Sequence, residues 1–407
     1  MISRSMDTYR DQFNIPSEKG KQHIYFCGNS LGLQPKKVKD SIERELSYWA
    51  TQGVEGHFSN AFPWVSYHKQ FSDLLAPLVG AKSREVVAMN SLTVNLHLLM
   101  ASFYRPTNKR FKILCEKEVF PSDYFAFESQ AAFHGFSSSE ALLEVSIEEG
   151  EHVLREELII EKIHQQHQQL ACVVLGAVNF VTGQFLDLEK IAKVCQKYEI
   201  PFGVDLAHAI GNVPLELSNW GVDFAVWCSY KYLNGGPGAV GGAFVHEKHH
   251  HQNLPRLQGW WGTAEEERFL MKKEFISSGT VDAWQLSNAP VLSMAALKPS
   301  LQLFKEVGIA KLSLEGRKMS GYLIEKLRAI PTIEVVTPSE DERRGCQVSL
   351  WVKKQSKELN LQLRAHGIIA DWRRYRDGGI IRVAPVPLYN TLDEIDQFCE
   401  TLTQLQK

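Results

Sequence analysis

Residues 227–246 read WCSYKYLNGGPGAVGGAFVH and place Lys231 between two tyrosines, ahead of a run of glycines. This stretch is compatible with two kinds of site, and the choice between them decides the fold. Lys231 could anchor a carbonyl cofactor, or the glycines from Gly236 to Gly241, which match G-x-G-x-x-G, could form a nucleotide-binding loop. A dinucleotide loop opens a helix after its glycines, whereas the next residues are GAFVHE, an extended apolar segment, and Pro237 interrupts the match. The pattern favours the lysine anchor over an NAD-binding oxidoreductase.

The segments around this stretch alternate between helix-like and strand-like patterns from about residue 85 to residue 245. Helices are predicted within 90–103 and 187–199, and strands within the segments 110–123, 170–178, 200–211 and 222–233, the first of which ends in a turn. Such alternation indicates an α/β domain with a mostly parallel sheet. Asp205 and His208 lie at the carboxyl end of one predicted strand, and Lys231 lies just beyond the end of the next. Ligands bind at the carboxyl ends of strands in such sheets. We therefore expect these side chains to meet in one site.

The length of 407 residues suggests two lobes, because single domains are usually shorter. After a helical stretch near 284–306, the chain predicts further elements in its C-terminal quarter. Helices are expected at 309–329 and 356–366, and strands near 332–337, 347–353 and 380–384. We predict an N-terminal segment (1–45) associated with the small domain, a large cofactor-binding domain (46–300) and a smaller α+β domain (301–407).

The composition is that of a globular protein, with 44% hydrophobic residues, 23% charged residues and a formal net charge of −2. This balance argues against nucleic acid or a membrane as a partner. The longest apolar stretch, 170–178, is too short to span a bilayer, and residues 1–13 lack the apolar core of a signal peptide. Seven scattered cysteines without a C-x-x-C pair indicate reduced thiols in the cytoplasm and no zinc site. HEKHHHQ (246–252) is interpreted as a solvated loop, not a metal site.

Pyridoxal phosphate is the cofactor that most often uses a lysine of this kind. Its ring nitrogen requires a buried carboxylate, its ring an aromatic face, and its phosphate a helix N-terminus with hydroxyls. Asp205, Phe120 and Thr93 are the candidates for these three tasks. Each also has a plain structural interpretation, as a helix cap, a core residue and a helix-start residue respectively. Together with Lys231 they favour the cofactor site.

Seven segments spread over almost the whole chain resemble kynureninases. They are CGNSLGLQPK (27–36), VEGHF (54–58), NSLTVNLHLLM (90–100), FPSDYFA (120–126), VDLAHAIGNVPLEL (204–217), SYKYLNGGPGAVGGAFVH (229–246) and IRVAPVPLYN (381–390). The resemblance implies the fold-type I, aspartate-aminotransferase-like fold of pyridoxal phosphate enzymes. It also implies a homodimer with shared active sites.

The resemblance assigns roles to individual residues. Lys231 matches the lysine that holds the cofactor as a Schiff base, Asp205 the partner of the ring nitrogen, and Tyr230 a phosphate contact and proton relay. The other cofactor-binding matches are Leu92, Thr93, Phe120, Asp123, Gly176 and His208, with Trp260 and Asn288 reaching in from the partner chain. Arg382 matches the arginine that binds the substrate carboxylate, and Ser30, His57 and Asn288 match the aryl end of the site. Gly176 departs from the family, which tends to have a hydroxyl residue there; Thr182 is the candidate substitute.

The implied reaction is hydrolysis of L-kynurenine, or 3-hydroxy-L-kynurenine, to an anthranilate and L-alanine, a step of tryptophan degradation and NAD biosynthesis. Cysteine desulfurases and class V aminotransferases share the lysine and the aspartate. A desulfurase needs a nucleophilic cysteine on a mobile loop in the C-terminal half, whereas Cys346 and Cys399 lie in strand-like and helix-like contexts. A scaffold without activity would have no need of the lysine and the aspartate that this chain has kept.

Overall fold

The computed structural model of the chain describes residues 7–406. The first six residues belong to the predicted 1–45 segment and to the stretch 1–13 in which no signal peptide is predicted, and they lie outside this range. Ten helices of at least ten residues occur within it: α1 (Val38–Gln52), α2 (Lys69–Val79), α3 (Leu92–Phe103), α4 (Pro121–Phe133), α5 (Glu156–Gln166), α6 (Leu188–Lys197), α7 (Val291–Val307), α8 (Ile309–Leu327), α9 (Ser356–Ala365) and α10 (Leu392–Leu405).

A seven-stranded sheet forms the centre of the larger part of the chain. Its strands in chain order are β1 (Val86–Ala88), β2 (Lys112–Glu116), β3 (Leu142–Val145), β4 (Leu170–Gly176), β5 (Phe202–Asp205), β6 (Phe224–Trp227) and β7 (Gly242–Val245). Their order across the sheet is β1-β7-β6-β5-β4-β2-β3, and β7 runs antiparallel to both of its neighbours while the other pairs are parallel. The predicted α/β class with a mostly parallel sheet is confirmed.

Both faces of this sheet are buried. In β4, Val173 and Leu175 join one apolar cluster, while Cys172 and Val174 join the other. This alternation follows from the two-residue period of a strand, and it explains why β4 reads as one continuous apolar run. Because both faces are covered, a site can form at the carboxyl ends of the strands, where β2, β4, β5 and β6 end side by side.

A four-stranded sheet in the C-terminal part has the order β8-β9-β11-β10. Its strands are β8 (Glu334–Val335), β9 (Val348–Val352), β10 (Asp371–Tyr375) and β11 (Gly378–Val383), and adjacent strands are antiparallel. Ile24–Tyr25 pairs with Ile368–Ile369, and Phe26 is buried in the same apolar cluster as α8 and α10. These contacts link the N-terminal segment to the C-terminal part; the boundaries 1–45, 46–300 and 301–407 stay a prediction.

The glycines after Lys231 serve two purposes. Gly236 and Gly238 have φ angles of 87° and 69°, a conformation that favours glycine. Gly242 instead lies against another side chain, since a Cβ atom there would come within 2.3 Å of the Trp227 ring. A Cβ atom at Gly241 would come within 2.7 Å of the Trp227 carbonyl oxygen. The run therefore forms a turn and then lets β7 pack closely on β6.

The interpretation of HEKHHHQ as a solvated loop holds only for Lys248, His251 and Gln252, which are exposed, whereas three of its histidines have partners within the protein. His249 Nε2 lies 2.7 Å from Asp223 Oδ1, His246 Nε2 lies 3.2 Å from the Ser218 carbonyl oxygen, and the buried His250 bonds the Val245 carbonyl oxygen at 2.9 Å. The segment folds back against the sheet after β7 ends, because these imidazoles have polar partners there. Within residues 7–406, no group of three or more His, Cys, Asp or Glu side chains is arranged to hold a metal ion.

Candidate active site

Lys231 lies in the turn that follows β6, four residues beyond Trp227. Only 9% of the residue is exposed, and its Nζ atom lies 2.9 Å from Nε2 of His208. His208 follows β5, the parallel neighbour of β6. Burial lowers the pKa of His208 well below its usual value, and the nearby Lys231 and Arg382 charges add to this effect. A neutral imidazole therefore faces the lysine amine.

Asp205 ends β5, with Gly176 of β4 on one side and Val226 of β6 on the other. Its Oδ1 atom accepts a hydrogen bond from the Ala207 amide at 2.7 Å. A side-chain hydrogen bond joins it to Asp123, and burial raises the pKa of both carboxyls, that of Asp123 more strongly. The bond to Asp123 and the charge of Lys231 both lower the pKa of Asp205. A proton bound by this pair therefore favours Asp123 over Asp205.

The N-terminus of α3 closes another side of the site. The Thr93 and Ser122 hydroxyl oxygens, from the first turns of α3 and α4, lie 2.6 Å apart. Helix N-termini present unpaired backbone N–H groups that bind anions such as phosphate. Two hydroxyls beside such an N-terminus form a suitable phosphate site.

Aromatic rings border the lysine. The Phe120 side chain directly precedes α4, is 44% exposed, and has its ring centroid 5.8 Å from Lys231 Nζ. The Phe180 ring meets Phe120 edge-on at 5.2 Å, and the Tyr230 ring centroid is 6.0 Å from Lys231 Nζ. Burial raises the pKa of Tyr230 above its ordinary value, so this phenol stays protonated at neutral pH.

These groups line one cavity with about 570 Å³ of empty space, including its open mouth. The residues predicted for the cofactor that line it are Leu92, Thr93, Phe120, Asp123, Gly176, Asp205, His208, Tyr230 and Lys231. Sequence reasoning did not single out its other lining residues, which are Glu116, Val119, Ser122, Val178, Asn179, Phe180 and Ala207. Glu116, like Asp205, is an acidic residue near the carboxyl end of a predicted strand, and that position was the signal that could have found it.

The remaining predicted residues lie outside the cavity walls. Arg382, on β11, is buried; its Nη1 atom donates to the carbonyl oxygen of Phe180 at 2.7 Å, and its Nη2 atom forms an ion pair with Asp371. Ser30 belongs to a loop whose Gly32 amide donates to the Tyr230 carbonyl oxygen at 2.8 Å. Arg382 therefore contacts one residue that lines the cavity, Phe180, and the loop that contains Ser30 contacts another, Tyr230.

His57 and Asn288 share a separate groove, which Trp49 and Trp64 also line. Trp260 is half exposed on the surface. Thr182, the candidate substitute for the missing hydroxyl, lies in a buried turn where its hydroxyl donates to Asn179 Oδ1 at 3.3 Å and accepts from the Gln184 amide at 3.2 Å. Its hydroxyl is thus occupied within the turn.

The cavity fits pyridoxal phosphate. Two buried polar atoms of its lining residues, Asp123 Oδ1 and His208 Nδ1, have no hydrogen-bond partner among the described residues. Such atoms are costly unless a ligand or water satisfies them. The cavity also brings together an amine for the cofactor carbonyl, an ionised carboxylate for the ring nitrogen, and a helix N-terminus with hydroxyls for the phosphate.

None of the helices within residues 7–406 combines the length and the apolar character needed to cross a bilayer.

Structural comparison shows the fold. The chain superimposes on a cysteine desulfurase from Escherichia coli with a TM-score of 0.79 at 16% identity, covering 98% of both chains. A C-DES variant with glycine covalently linked to its PLP cofactor gives a TM-score of 0.78 at 19% identity, over 97% of this chain and 98% of that one. These likenesses establish the fold-type I architecture of pyridoxal phosphate enzymes and carry no information on the substrate.

Sequence comparison is more specific. Residues 24–398 match the aminotransferase class-V family. The chain is 46% identical to a kynureninase from Flavobacterium psychrophilum and 47% identical to one from Myxococcus xanthus, in each case over 97% of this chain and 93% of the relative. Identity of this level over nearly the whole length, together with the Lys231 cavity, places the chain: it belongs to the aminotransferase class-V family and, within that family, to the kynureninases.

Proposed function

We propose that this chain hydrolyses L-kynurenine, 3-hydroxy-L-kynurenine or both with pyridoxal phosphate, giving anthranilate or its 3-hydroxy form and L-alanine. The observation that carries the proposal is the buried Lys231 amine, which shares one cavity with Asp205 and Asp123 in a chain of the kynureninase family. The reaction is a step of tryptophan degradation.

Bound in this cavity, pyridoxal phosphate supplies an electron sink for negative charge that develops on the substrate carbons. Lys231 would hold the cofactor covalently, and its amine is the group that would take up the proton of the substrate Cα. His208 supports this role, because a neutral imidazole 2.9 Å away accepts a hydrogen bond from the amine without adding positive charge. Asp205 would hold the proton of the ring nitrogen, because Asp123 and the charge of Lys231 both lower the pKa of Asp205 against the effect of burial.

Tyr230 and Arg382 complete the roles on this chain. Tyr230 keeps its phenol proton at neutral pH and lines the cavity, so it can pass a proton while water adds to the γ-ketone and the Cβ–Cγ bond breaks. Arg382 receives the substrate carboxylate, a task that suits its planar fork. Its Nε atom supports this role, because it is buried and has no partner among the described residues.

The groove of His57 and Asn288 is proposed for the aryl end of the substrate, with Ser30 completing it. Trp49 and Trp64 give the groove aromatic walls, and the buried Glu45 carboxylate lies at its base. A buried site whose polar groups bond a substrate hydroxyl discriminates strongly against the analogue that lacks this hydroxyl, because the polar groups are then left unpaired. Two polar side chains therefore favour acceptance of the 3-hydroxy substrate.

We further propose a homodimer with shared sites. Trp260 and Asn288 lie away from the cavity of their own chain, which agrees with a role at the cavity of a second copy. Apolar side chains around them are exposed, and a partner would cover them; they include Trp49, Phe58, Trp260, Phe269 and Leu292. Mixing the inactive Lys231→Ala and Asn288→Ala variants tests this directly. Exchange of subunits should restore turnover, because one site of each mixed dimer then has both residues intact, whereas no recovery in proven mixed dimers would contradict shared sites.

A cysteine desulfurase activity is less well supported. Its nucleophile would have to be an accessible thiolate, but all seven cysteines are buried, and burial raises the pKa of Cys346 to about 12. The seven free thiols also agree with the proposed cytoplasmic location, a reducing compartment.

The lysine assignment has a direct test. Borohydride reduction of the cofactor-loaded protein should bleach its visible absorbance permanently and add the cofactor mass to the peptide that contains Lys231. Label on a different lysine would contradict the assignment. An unlabelled Lys231→Ala protein is the control.

A further inference from the structure

One acidic residue of the cavity has no part in the mechanism above. Glu116 is the last residue of β2, only 6% of it is exposed, and it lines the same cavity as Lys231. Charged side chains are rarely buried to this degree without a partner or a task. Its place at a strand end, beside the ends of β4 and β5, puts it where ligands of such sheets bind.

Gly176 gives Glu116 its access to the cavity. A Cβ atom at Gly176 would lie 3.4 Å from Glu116 Oε2, so any side chain at that position would stand directly against the carboxyl group. The absence of a side chain at Gly176 therefore leaves the Glu116 carboxyl facing the cavity.

The charges in the cavity do not balance if every acid is ionised. Asp205, Asp123 and Glu116 are three buried carboxyls, Lys231 is the amine they share, and His208 is held neutral. Burying unpaired like charges is strongly unfavourable, so protons must remain on some of these groups. Burial raises the pKa of Glu116 to about 8. The Gly176 backbone acts in the opposite direction, and the charges of Asp205 and the exposed Glu118 add to the rise.

We propose that Glu116 is a positioning residue that holds a proton in the cofactor cavity, so that Asp205 is left as the single ionised carboxylate beside the cofactor ring.

The proposal has a consequence for cofactor binding. Cofactor that fills the cavity displaces water from around Glu116, and the loss of water favours the protonated acid still further. Above pH 8, Glu116 has begun to ionise in the cofactor-free protein. Cofactor binding above this pH must therefore be accompanied by uptake of a proton at Glu116. The inference depends on the proposed function only through the cofactor and not through the substrate.

Calorimetric titration of the full-length chain with pyridoxal phosphate tests this uptake. The titration is run at about pH 8.5 in two buffers of different ionisation enthalpy, which gives the number of protons bound. The wild type should take up more protons than Glu116→Gln, by as much as one, and its affinity should weaken relative to that variant by up to about tenfold per pH unit above pH 8. Glu118→Gln removes the same charge from an exposed neighbour and should keep the proton uptake of the wild type, with its onset moved only slightly to lower pH. Equal proton uptake by the wild type and Glu116→Gln would overturn the proposal.

Gly176→Ala provides a second test if Glu116→Gln does not fold. Its methyl group makes an ordinary 3.4 Å contact with Glu116 and shields the carboxyl from the cavity, so the fold should be kept. The proton uptake should then move to a higher pH, whereas an unchanged pH dependence would overturn the proposal. Failure of the wild type to cleave kynurenine would contradict the proposed function and leave this measurement unaffected.

Discussion

Lys231 Nζ and His208 Nε2 lie 2.9 Å apart in a buried cavity, so a lysine amine and an imidazole share one hydrogen bond. Two positive charges at this distance would repel each other strongly in a site without bulk water. The imidazole is the group that stays neutral, because burial and the charges of Lys231 and Arg382 lower its pKa well below its usual value. The amine on which the proposed chemistry depends is thereby given a neutral acceptor.

The neutral state of His208 predicts a pH dependence of stability. Its folded-state pKa lies below the unfolded value, so the unfolded chain binds the extra proton and stability is lost as the pH falls below about 6.5. His208→Gln should remove up to about 1.4 kcal/mol per pH unit of this loss. Urea unfolding of both proteins at pH 5 and at pH 7.5 measures it. Identical pH slopes in the two proteins would mean that His208 is charged in the folded state.

Lys231→Ala should abolish turnover and leave the fold intact. The lost amine is both the anchor and the base. The neutral His208 loses only a hydrogen-bond partner, and Asp205 keeps its hydrogen bond from the Ala207 amide. Steady-state assays and circular dichroism check the two parts of this prediction. Lys193→Ala, which removes an exposed lysine of α6, serves as the control and should retain full activity. Substantial turnover by Lys231→Ala would remove this residue from the mechanism.

Arg382→Ala should raise KM for kynurenine strongly. A substrate carboxylate left without its partner in a buried site costs about 2–5 kcal/mol of binding. Arg373→Ala is a matched control, because Arg373 also bonds Asp371, at 2.6 Å, but is half exposed. Asp371 keeps one cationic partner in either single variant. The assignment fails if KM of Arg382→Ala equals that of the control.

Gly242→Ala should destabilise the protein more than Gly236→Ala. A methyl group at Gly242 would overlap the buried Trp227 ring. Overpacking of a core lowers the free energy of unfolding by about 1–3 kcal/mol. At Gly236 the surrounding space is open and only the positive φ angle opposes alanine, which costs about 1 kcal/mol. Thermal unfolding of the two variants ranks them. The opposite order would show that the turn, and not the packing of β7 on β6, requires glycine most.

The sequence predicted much of the large sheet because its parallel strands are buried on both faces and read as continuous apolar runs, as in β4 and β6. It also predicted that Lys231, Asp205 and His208 converge, because strand order places their turns at one edge. The residues after G-x-G-x-x-G correctly argued against a nucleotide-binding loop. The glycines lead into β7, an antiparallel strand, and not into a helix.

Other features required three-dimensional information. Glu116 looked like any acidic strand end until the sheet order placed β2 beside β4. The ion pair of Arg382 with Asp371 depends on the register of β10 and β11. The histidines of residues 246–252 found polar partners such as Asp223, which are distant in the sequence. Sequence spacing does not report which polar groups a turn will meet after it folds back.

The most direct test of the central claim is kcat/KM of the chain loaded with pyridoxal phosphate, measured with L-kynurenine and with 3-hydroxy-L-kynurenine. The account predicts that at least one is cleaved to the corresponding anthranilate and to L-alanine in equal amounts, with Lys231→Ala inactive. Failure to cleave either substrate by protein that holds its cofactor on Lys231 would contradict it.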